Sequence, residues 1–238
     1  VAGMARHAAD EGMTTALAIF VKTPGHSPLK TRLAAVIGER AALNFHRLAS
    51  AAVAAVAESA RPLITPYWAV AEADDAAHAA WPDFPTIWQG EGDLGTRMHH
   101  VLETLLSRHD SVLLVGADVP QLTSGQLAQA AQALAEPPVA FVFGPATDGG
   151  FWLFGANTPV PLAIWQSVRY SQGDTCLALR RALPATGSIA DLPVLADVDN
   201  ADDLPRVLGA LGRLPEALPA QRALADWMQR QLAEFPTA

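Results

Sequence analysis

Short apolar runs alternate with helix-period segments along most of this chain, and that alternation limits the possible folds more than any other feature. The clearest run is Ser111-Val-Leu-Leu-Val-Gly116, uncharged throughout and lying between Asp110 and Asp118. A short continuous run of this kind reads as a strand covered on both faces. Ala16–Val21, Leu63–Ala71 and Thr86–Trp88 also read as strands. Helical spacing falls between them: Leu33, Val36 and Ile37, then an alanine-rich stretch through Phe45, Ala49 and Val53, a short helix over Ala73–Ala80, and a longer one over Gly95–Arg108. Another helix is expected over Ser124–Ala135. Strands alternating with helices predict an α/β fold, a three-layer α/β/α arrangement around a mainly parallel sheet. Val139–Gly144 and Phe151–Gly155 flank a turn at Thr147–Gly150 and break the alternation, which predicts an antiparallel insertion and hence a mixed sheet. A helix near Asp174–Leu183, a short strand near Val194 and two further helices complete the expected order.

No internal repeat and no long Gly/Ser/Pro linker divides the chain, so one domain is expected over residues 15–238. Residues 1–14, with Arg6, His7, Asp10 and Glu11, lack the apolar core of a secretory signal and are expected to be an extension that is disordered or foreign to the native protein. No run approaches the ~20 apolar residues of a membrane span, so a soluble, cytoplasmic protein is expected. Sixteen Lys and Arg against 24 Asp and Glu give a net charge of −8, which argues against a general nucleic-acid binder. The single cysteine, Cys176, excludes a disulfide framework and a cysteine-rich zinc site.

Within that acidic total the charges are sorted. Lys22, Lys30 and Arg32 follow the first strand closely. Ligands of open α/β sheets bind beyond the carboxyl ends of the strands, where helix N-termini point their free N–H groups. Three cations there suit a di- or triphosphate, although solvated loop cations are the simpler alternative. Gly25-His-Ser-Pro-Leu-Lys-Thr31 imitates a P-loop but has Leu29 where the glycine before the lysine is required. Gly90, Gly92 and Gly95 spell a dinucleotide fingerprint, yet Glu91 and Asp93 inside the turn would repel a pyrophosphate. A loop closing over a base or sugar fits those carboxylates better, and a plain tight turn before a helix would also explain the letters.

Carboxylates recur after later strands. Asp118, in Gly116-Ala-Asp-Val-Pro120, follows the most buried strand, where an unpaired charge is expensive and a divalent cation would compensate it. Asp199, in Asp197-Val-Asp-Asn200, offers a second ligand, with Asp197, Asp202 and Asp203 as competitors. Each of the two also admits a turn or capping role. Asp148 lies in Gly144-Pro-Ala-Thr-Asp-Gly-Gly150, an ordinary hairpin signal that can equally present a carboxylate and backbone amides to an acceptor. No GxSxG elbow and no HExxH pair is present.

Taken in order, Phe20-Val-Lys-Thr-Pro24, Lys30-Thr-Arg-Leu33, Gln89-Gly-Glu-Gly-Asp-Leu-Gly95 with Arg97-Met98, Gly116-Ala-Asp-Val-Pro120, Gly144–Gly150 and Asp197-Val-Asp-Asn200 resemble a bacterial family within the GT-A-type nucleotide-diphospho-sugar transferase superfamily. The resemblance spans roughly Leu17 to Leu204. Lys-Thr-Arg-Leu is also similar to the Lys-Ser-Arg-Leu of phospholactate guanylyltransferases, which share the fold. The resemblance implies a GT-A-like transferase with Lys22, Lys30 and Arg32 on the donor phosphates, Asp118 and Asp199 on Mg2+ or Mn2+, and Asp148 near the acceptor. It also implies that Gly90, Glu91, Gly92, Asp93, Gly95 and Arg97 lie near the donor base or ribose. The donor would be a nucleoside triphosphate or a nucleotide sugar, the acceptor a small molecule, and the group transferred nucleotidyl or glycosyl. A nucleotide-binding or scaffold protein with a degraded site is the alternative. Ser27 stands where the family has a glycine before Lys30, and Arg169-Tyr-Ser171 occupies the region of a common Trp-Ser-Thr.

Overall fold

The computed structural model describes residues 13–234. The expected extension over residues 1–14 lies outside them except for Met13 and Thr14, and Thr14 donates from its backbone N–H and its hydroxyl to Asp110 Oδ2 at 2.8 and 3.0 Å.

Seven strands form one sheet: β1 (Thr15–Val21), β2 (Ile64–Val70), β3 (Thr86–Trp88), β4 (Ser111–Gly116), β5 (Val139–Pro145), β6 (Phe151–Ala156) and β7 (Ser188–Asp191), in the order β3-β2-β1-β4-β6-β5-β7. Six run in one direction. β6 alone is reversed, antiparallel to both β4 and β5. This is the insertion expected around the Asp148 turn.

β1 and β4 pair in parallel, Leu17 opposite Leu113 and Ile19 opposite Val115. Their side chains alternate between two layers, as the two-residue strand period requires. Leu17, Ile19, Leu113 and Val115 meet Val53 and Val56 of α2 (Glu39–Ser59) and Leu127 and Leu134 of α5 (Ser124–Ala135). Ala16, Ala18, Val112 and Leu114 meet Val101, Leu102 and Leu105 of the helix over Leu94–Leu106, α4, on the other side. Burial on both faces explains why these strands read as unbroken apolar runs.

A third cluster packs α1 (Thr31–Ile37) and the outer face of α2 against the C-terminal helices α8 (Leu204–Leu211) and α9 (Pro219–Glu234), through Leu33, Phe45, Val207, Leu224 and Met228. The short helix α3 spans Asp75–Ala79, and α6 (Leu162–Ser167) and α7 (Thr175–Ala182) follow β6.

Two details depart from the sequence reading. The last strand is Ser188–Asp191, beside β5, rather than near Val194. Pro193 has no N–H to continue the ladder, so Val194 is left 58% exposed and only Leu195 forms a bridge, with Ala146. Helix α6 was not expected at all. Its six residues are too few for a periodic pattern to stand out.

Candidate active site

Because six strands point the same way, the loops after β1, β3, β4 and β5 gather at one edge of the sheet, where the segment after β7 joins them. A continuous two-chambered cleft opens there, in the position general for open α/β sheets. The first chamber, ≈ 500 Å3, is lined by Lys22, Lys30, Arg32, His46, Gln89 and Asp118 among others. The second, ≈ 280 Å3, is lined by Asp148, Asp197, Phe151, Tyr170, Gln172 and Thr175 among others. Phe20, Arg32, Leu94, Gly116, Ser171 and Asp199 border both.

Side chains from outside the loop, rather than its own cations Lys22 and Arg32, hold the loop after β1. Thr23 donates its N–H to Glu72 Oε2 (3.0 Å) and its hydroxyl accepts from Trp81 Nε1 (2.9 Å). His46 Nε2 donates to Lys22 O at 3.0 Å. Burial lowers the pKa of His46, which keeps this imidazole neutral. Gln89 Nε2 bridges Val21 O and Ala69 O, fastening the ends of β1 and β2. The Lys22 side chain makes no hydrogen bond or ion pair among the described residues and is exposed in the cleft.

Lys30 stands in the left-handed region, with φ 43° and ψ 44°, immediately before α1. Its ammonium donates to Asp118 Oδ2 at 2.8 Å and to Val198 O at 2.5 Å, and lies 4.0 Å from Asp199 Oδ1. Arg32 approaches Asp199 at 3.6 Å. Lys30 and Ser171 are the two non-glycine residues with positive φ among the described residues, and both line the cleft. Backbone held in this unfavourable region gathers at functional sites.

Asp118, Asp197 and Asp199 converge, with ligand atoms within 4.8 Å of one another. Three supports place them. Gly116 leaves room for the Asp118 carboxylate, which a Cβ there would meet at 2.5 Å. Gln121 Nε2 donates to Ala196 O (2.5 Å), joining the loop after β4 to the segment carrying Asp197. Thr147 N donates to Leu195 O and Leu195 N to Pro145 O, at 3.0 and 3.1 Å, which brings the Asp148 hairpin to the same segment.

Burial, the largest influence, raises the pKa of Asp118, but the charge and hydrogen bond of Lys30, helped by the backbone and His46, outweigh it and hold the carboxyl below its usual value. Asp197 has no such cation. Burial first, then the charges of Asp118, Asp148 and Asp199, push it up to about 7. Sequence reasoning left Asp197 among the competitors of Asp199. The structure brings both to the cluster, two residues apart on one extended segment, while Asp203 turns away to accept from the N–H groups of Asp199 and Asn200 at 3.0 Å.

The loop after β3 is placed differently. Asp93 caps α4 by accepting from Thr96 N at 2.8 Å, and Arg97 Nε donates to Gly92 O at 3.0 Å. A Cβ on Gly95 would lie 2.7 Å from Trp165 O and from the Tyr170 ring, so this glycine seats the tyrosine. Gly90 and Gly92 adopt φ 82° and 95°, the left-handed turn geometry glycine permits. Of this stretch only Gln89 and Leu94 line the cleft. Gly90, Glu91, Gly92, Asp93, Gly95 and Arg97 do not. Asp148 does, with Oδ1 accepting from Gly150 N at 2.8 Å.

Among the described residues no helix is long and apolar enough to cross a membrane. No curated protein matches the chain. Among solved structures, it is similar to a provisionally assigned nucleotide-diphospho-sugar transferase from Desulfovibrio desulfuricans, at 23% identity and TM-score 0.79, over 93% of this chain and 97% of the other. A cytidylyltransferase from Leptospira borgpetersenii is similar at 12% identity and TM-score 0.51, over 95% and 98%. CMP:2-keto-3-deoxy-manno-octonic acid synthetase complexed with CTP is similar at 12% and 0.50, over 84% and 99%. The fold is therefore that of nucleotide-using transferases, GT-A-like as the motifs implied. Residues 46–172 match the profile of a family described as an uncharacterized protein conserved in bacteria (DUF2064), and the chain belongs to that family.

Proposed function

We propose that the protein is a metal-dependent transferase that binds a nucleoside triphosphate or nucleotide-diphospho-sugar in the larger chamber and passes a nucleotidyl or glycosyl group to a small acceptor in the smaller one. The observation that carries this reading is the meeting of Lys22, Lys30 and Arg32 with Asp118 and Asp199 on one cavity wall. Cations in that position neutralise charge on a departing diphosphate or pyrophosphate. The CTP held by a protein of the same fold adds support for a nucleotide donor.

Asp118, Asp197 and Asp199 suit Mg2+ or Mn2+, because the donor set is all carboxylate oxygen and hard cations prefer it. Their mutual crowding, expressed in the raised pKa of Asp197, is the excess negative charge a cation would relieve. A bound ion would supply charge neutralisation at the donor phosphates. Lys22 and Arg32 would bind the outer phosphate oxygens, and Lys30 would hold Asp118 ionised and oriented. Gly90, Glu91, Gly92, Asp93, Gly95 and Arg97 would act by fixing the loop that carries Gln89 and Leu94 into the donor chamber. Asp148 would face the acceptor.

Thermal shift with a panel of nucleoside triphosphates and nucleotide sugars, with and without Mg2+ or Mn2+, tests the reading. At least one nucleotide should stabilise the protein only when metal is present, and Asp118→Ala should weaken that binding by about a hundredfold or more. Stabilisation unchanged by metal, or unchanged in Asp118→Ala, would instead favour a binding protein with a degraded site.

A further inference from the structure

On the reading that the larger chamber holds a nucleotide, the smaller one faces the acceptor, and its chemistry is the reverse of its neighbour's. Three carboxylates line it, Asp148, Asp197 and Asp199, against one cation, Arg32, which already approaches Asp199 at 3.6 Å. The nearby Arg180 is committed to both oxygens of Asp191, and Arg206 reaches Thr147 Oγ1 at 3.4 Å without lining the chamber.

Several backbone donors at this chamber are also occupied. The first two N–H groups of α7 donate to Gln172 O (Thr175 N, 3.1 Å) and Gly149 O (Cys176 N, 2.9 Å). At the hairpin tip, Gly149 N donates to Ala146 O and Gly150 N to Asp148 Oδ1. A phosphate or carboxylate is best held by such N–H groups or by a guanidinium, and the one guanidinium lining this chamber, that of Arg32, sits at its border with the larger chamber and faces Asp199.

What it offers is apolar surface and hydrogen-bond acceptors. Phe20, Leu94, Met98, Phe151 and Tyr170 form much of the wall. The Tyr170 hydroxyl donates to Trp165 O at 3.1 Å and its ring rests against Gly95, so the residue contributes ring surface rather than a free hydroxyl. The loop carrying it is pinned, since Thr175 Oγ1 donates to the carbonyl of Arg169 or Gln172 (3.0 and 2.9 Å) and accepts from Gln172 N (3.1 Å). Asp148 Oδ2 accepts no hydrogen bond from the described residues and is open to an incoming hydroxyl, and Gln172 and Ser171 share the same lining.

We propose that the smaller chamber takes an uncharged, hydroxyl-bearing acceptor with an apolar ring face, such as a glycoside or cyclic polyol, and rejects phosphorylated or carboxylated ones. Tyr170 is the platform for the ring and Asp148 the element that repels anions. The third glycine of the Gly90–Gly95 stretch then serves the acceptor side, by making room for that platform.

Calorimetric titration tests this in two stages on the full chain. The first adds the nucleotide giving the largest metal-dependent thermal shift, together with Mn2+. The second titrates 4-nitrophenyl β-D-glucopyranoside, or its 6-phosphate, into that complex. The uncharged glucoside should bind at least about tenfold more tightly than its phosphate. Asp148→Asn should narrow the gap by strengthening binding of the phosphate. Tyr170→Ala should weaken the glucoside about tenfold and leave nucleotide affinity within about twofold, while Tyr170→Phe keeps both. Equal or tighter binding of the phosphate, or no binding of the glucoside, overturns the inference while the nucleotide reading stands. Failure of every nucleotide in the first stage overturns both. Because Asp148 is an exposed turn residue, its variant keeps the test decisive even if Tyr170→Ala fails to fold.

Discussion

Two loops leave the same edge of the sheet and differ in what their charged side chains are free to do. After β1, the loop is anchored without its own cations: Glu72 and Trp81 hold Thr23, and His46 holds the carbonyl of Lys22, while Lys22 and Arg32 remain exposed in the cleft and Lys30 spends its bonds on the acidic cluster itself. After β3, the charged groups anchor the loop. Asp93 caps α4 and Arg97 ties back to Gly92. Both loops carry suggestive letters, but a charge already used to close a turn has little left for a ligand. What distinguishes a binding loop is unspent bonding capacity at the cavity.

The sharpest way to break this contrast is to remove charge from each loop in turn. The double variant Lys22→Ala/Arg32→Ala should weaken metal-dependent nucleotide binding by about a hundredfold, taking each charge-assisted contact at roughly 1.5 kcal/mol. Glu91→Ala/Arg97→Ala should leave it within about twofold. Equal losses in calorimetric titration would show that the loop after β3 also meets the donor.

A smaller effect separates the glycines of the two loops. Gly95→Ala should destabilise the fold by about 1–3 kcal/mol through overpacking against Trp165 O and Tyr170. Gly25→Ala, at φ 86° with nothing within 4 Å of the added Cβ, should lose only about 1 kcal/mol from left-handed strain. Denaturant unfolding measures both. If Gly95→Ala is the milder change, the seat of Tyr170 is wrongly drawn.

The smallest expected effect lies in the acidic cluster, on the wall of the smaller chamber. Asp197 is crowded by Asp118, Asp148 and Asp199, so Asp197→Asn should raise Tm modestly in the presence of EDTA. In Mn2+ the same substitution should reduce the stabilisation that metal provides. A lower Tm in EDTA would mean that the carboxylate makes a structural bond instead.

Much of the architecture was legible in the chain. β1 and β4 are buried on both faces and therefore lack polar interruption, and the reversal around Asp148 follows from two strands closely flanking a turn. The strand beside β5 was misplaced because Ser188-Ile-Ala-Asp191 is a weakly apolar edge, while the more apolar Leu192–Val194 is broken by Pro193. Lys22, Lys30, Arg32, Asp118, Asp148 and Asp199 were legible as cleft residues because charge concentrated after strands of a parallel sheet has one common destination. Asp197 was harder to separate from its neighbours. Its identity as a cluster member depends on Gln121 holding Ala196 and on Asp203 being engaged as a cap, and neither contact leaves a mark in local spacing.

The sequence by itself determined the alternation of strands and helices, the reversed strand and the edge at which ligand-binding groups would collect, because burial pattern and strand polarity are encoded locally. Only the tertiary structure decided which carboxylates converge, which glycines serve a wall rather than a phosphate, and that a cationic chamber adjoins an acidic, aromatic one. Those outcomes depend on contacts between segments far apart in the chain, such as Lys30 with Asp118 and Gly95 with Tyr170. A side chain's availability to a ligand is whatever those contacts leave unused.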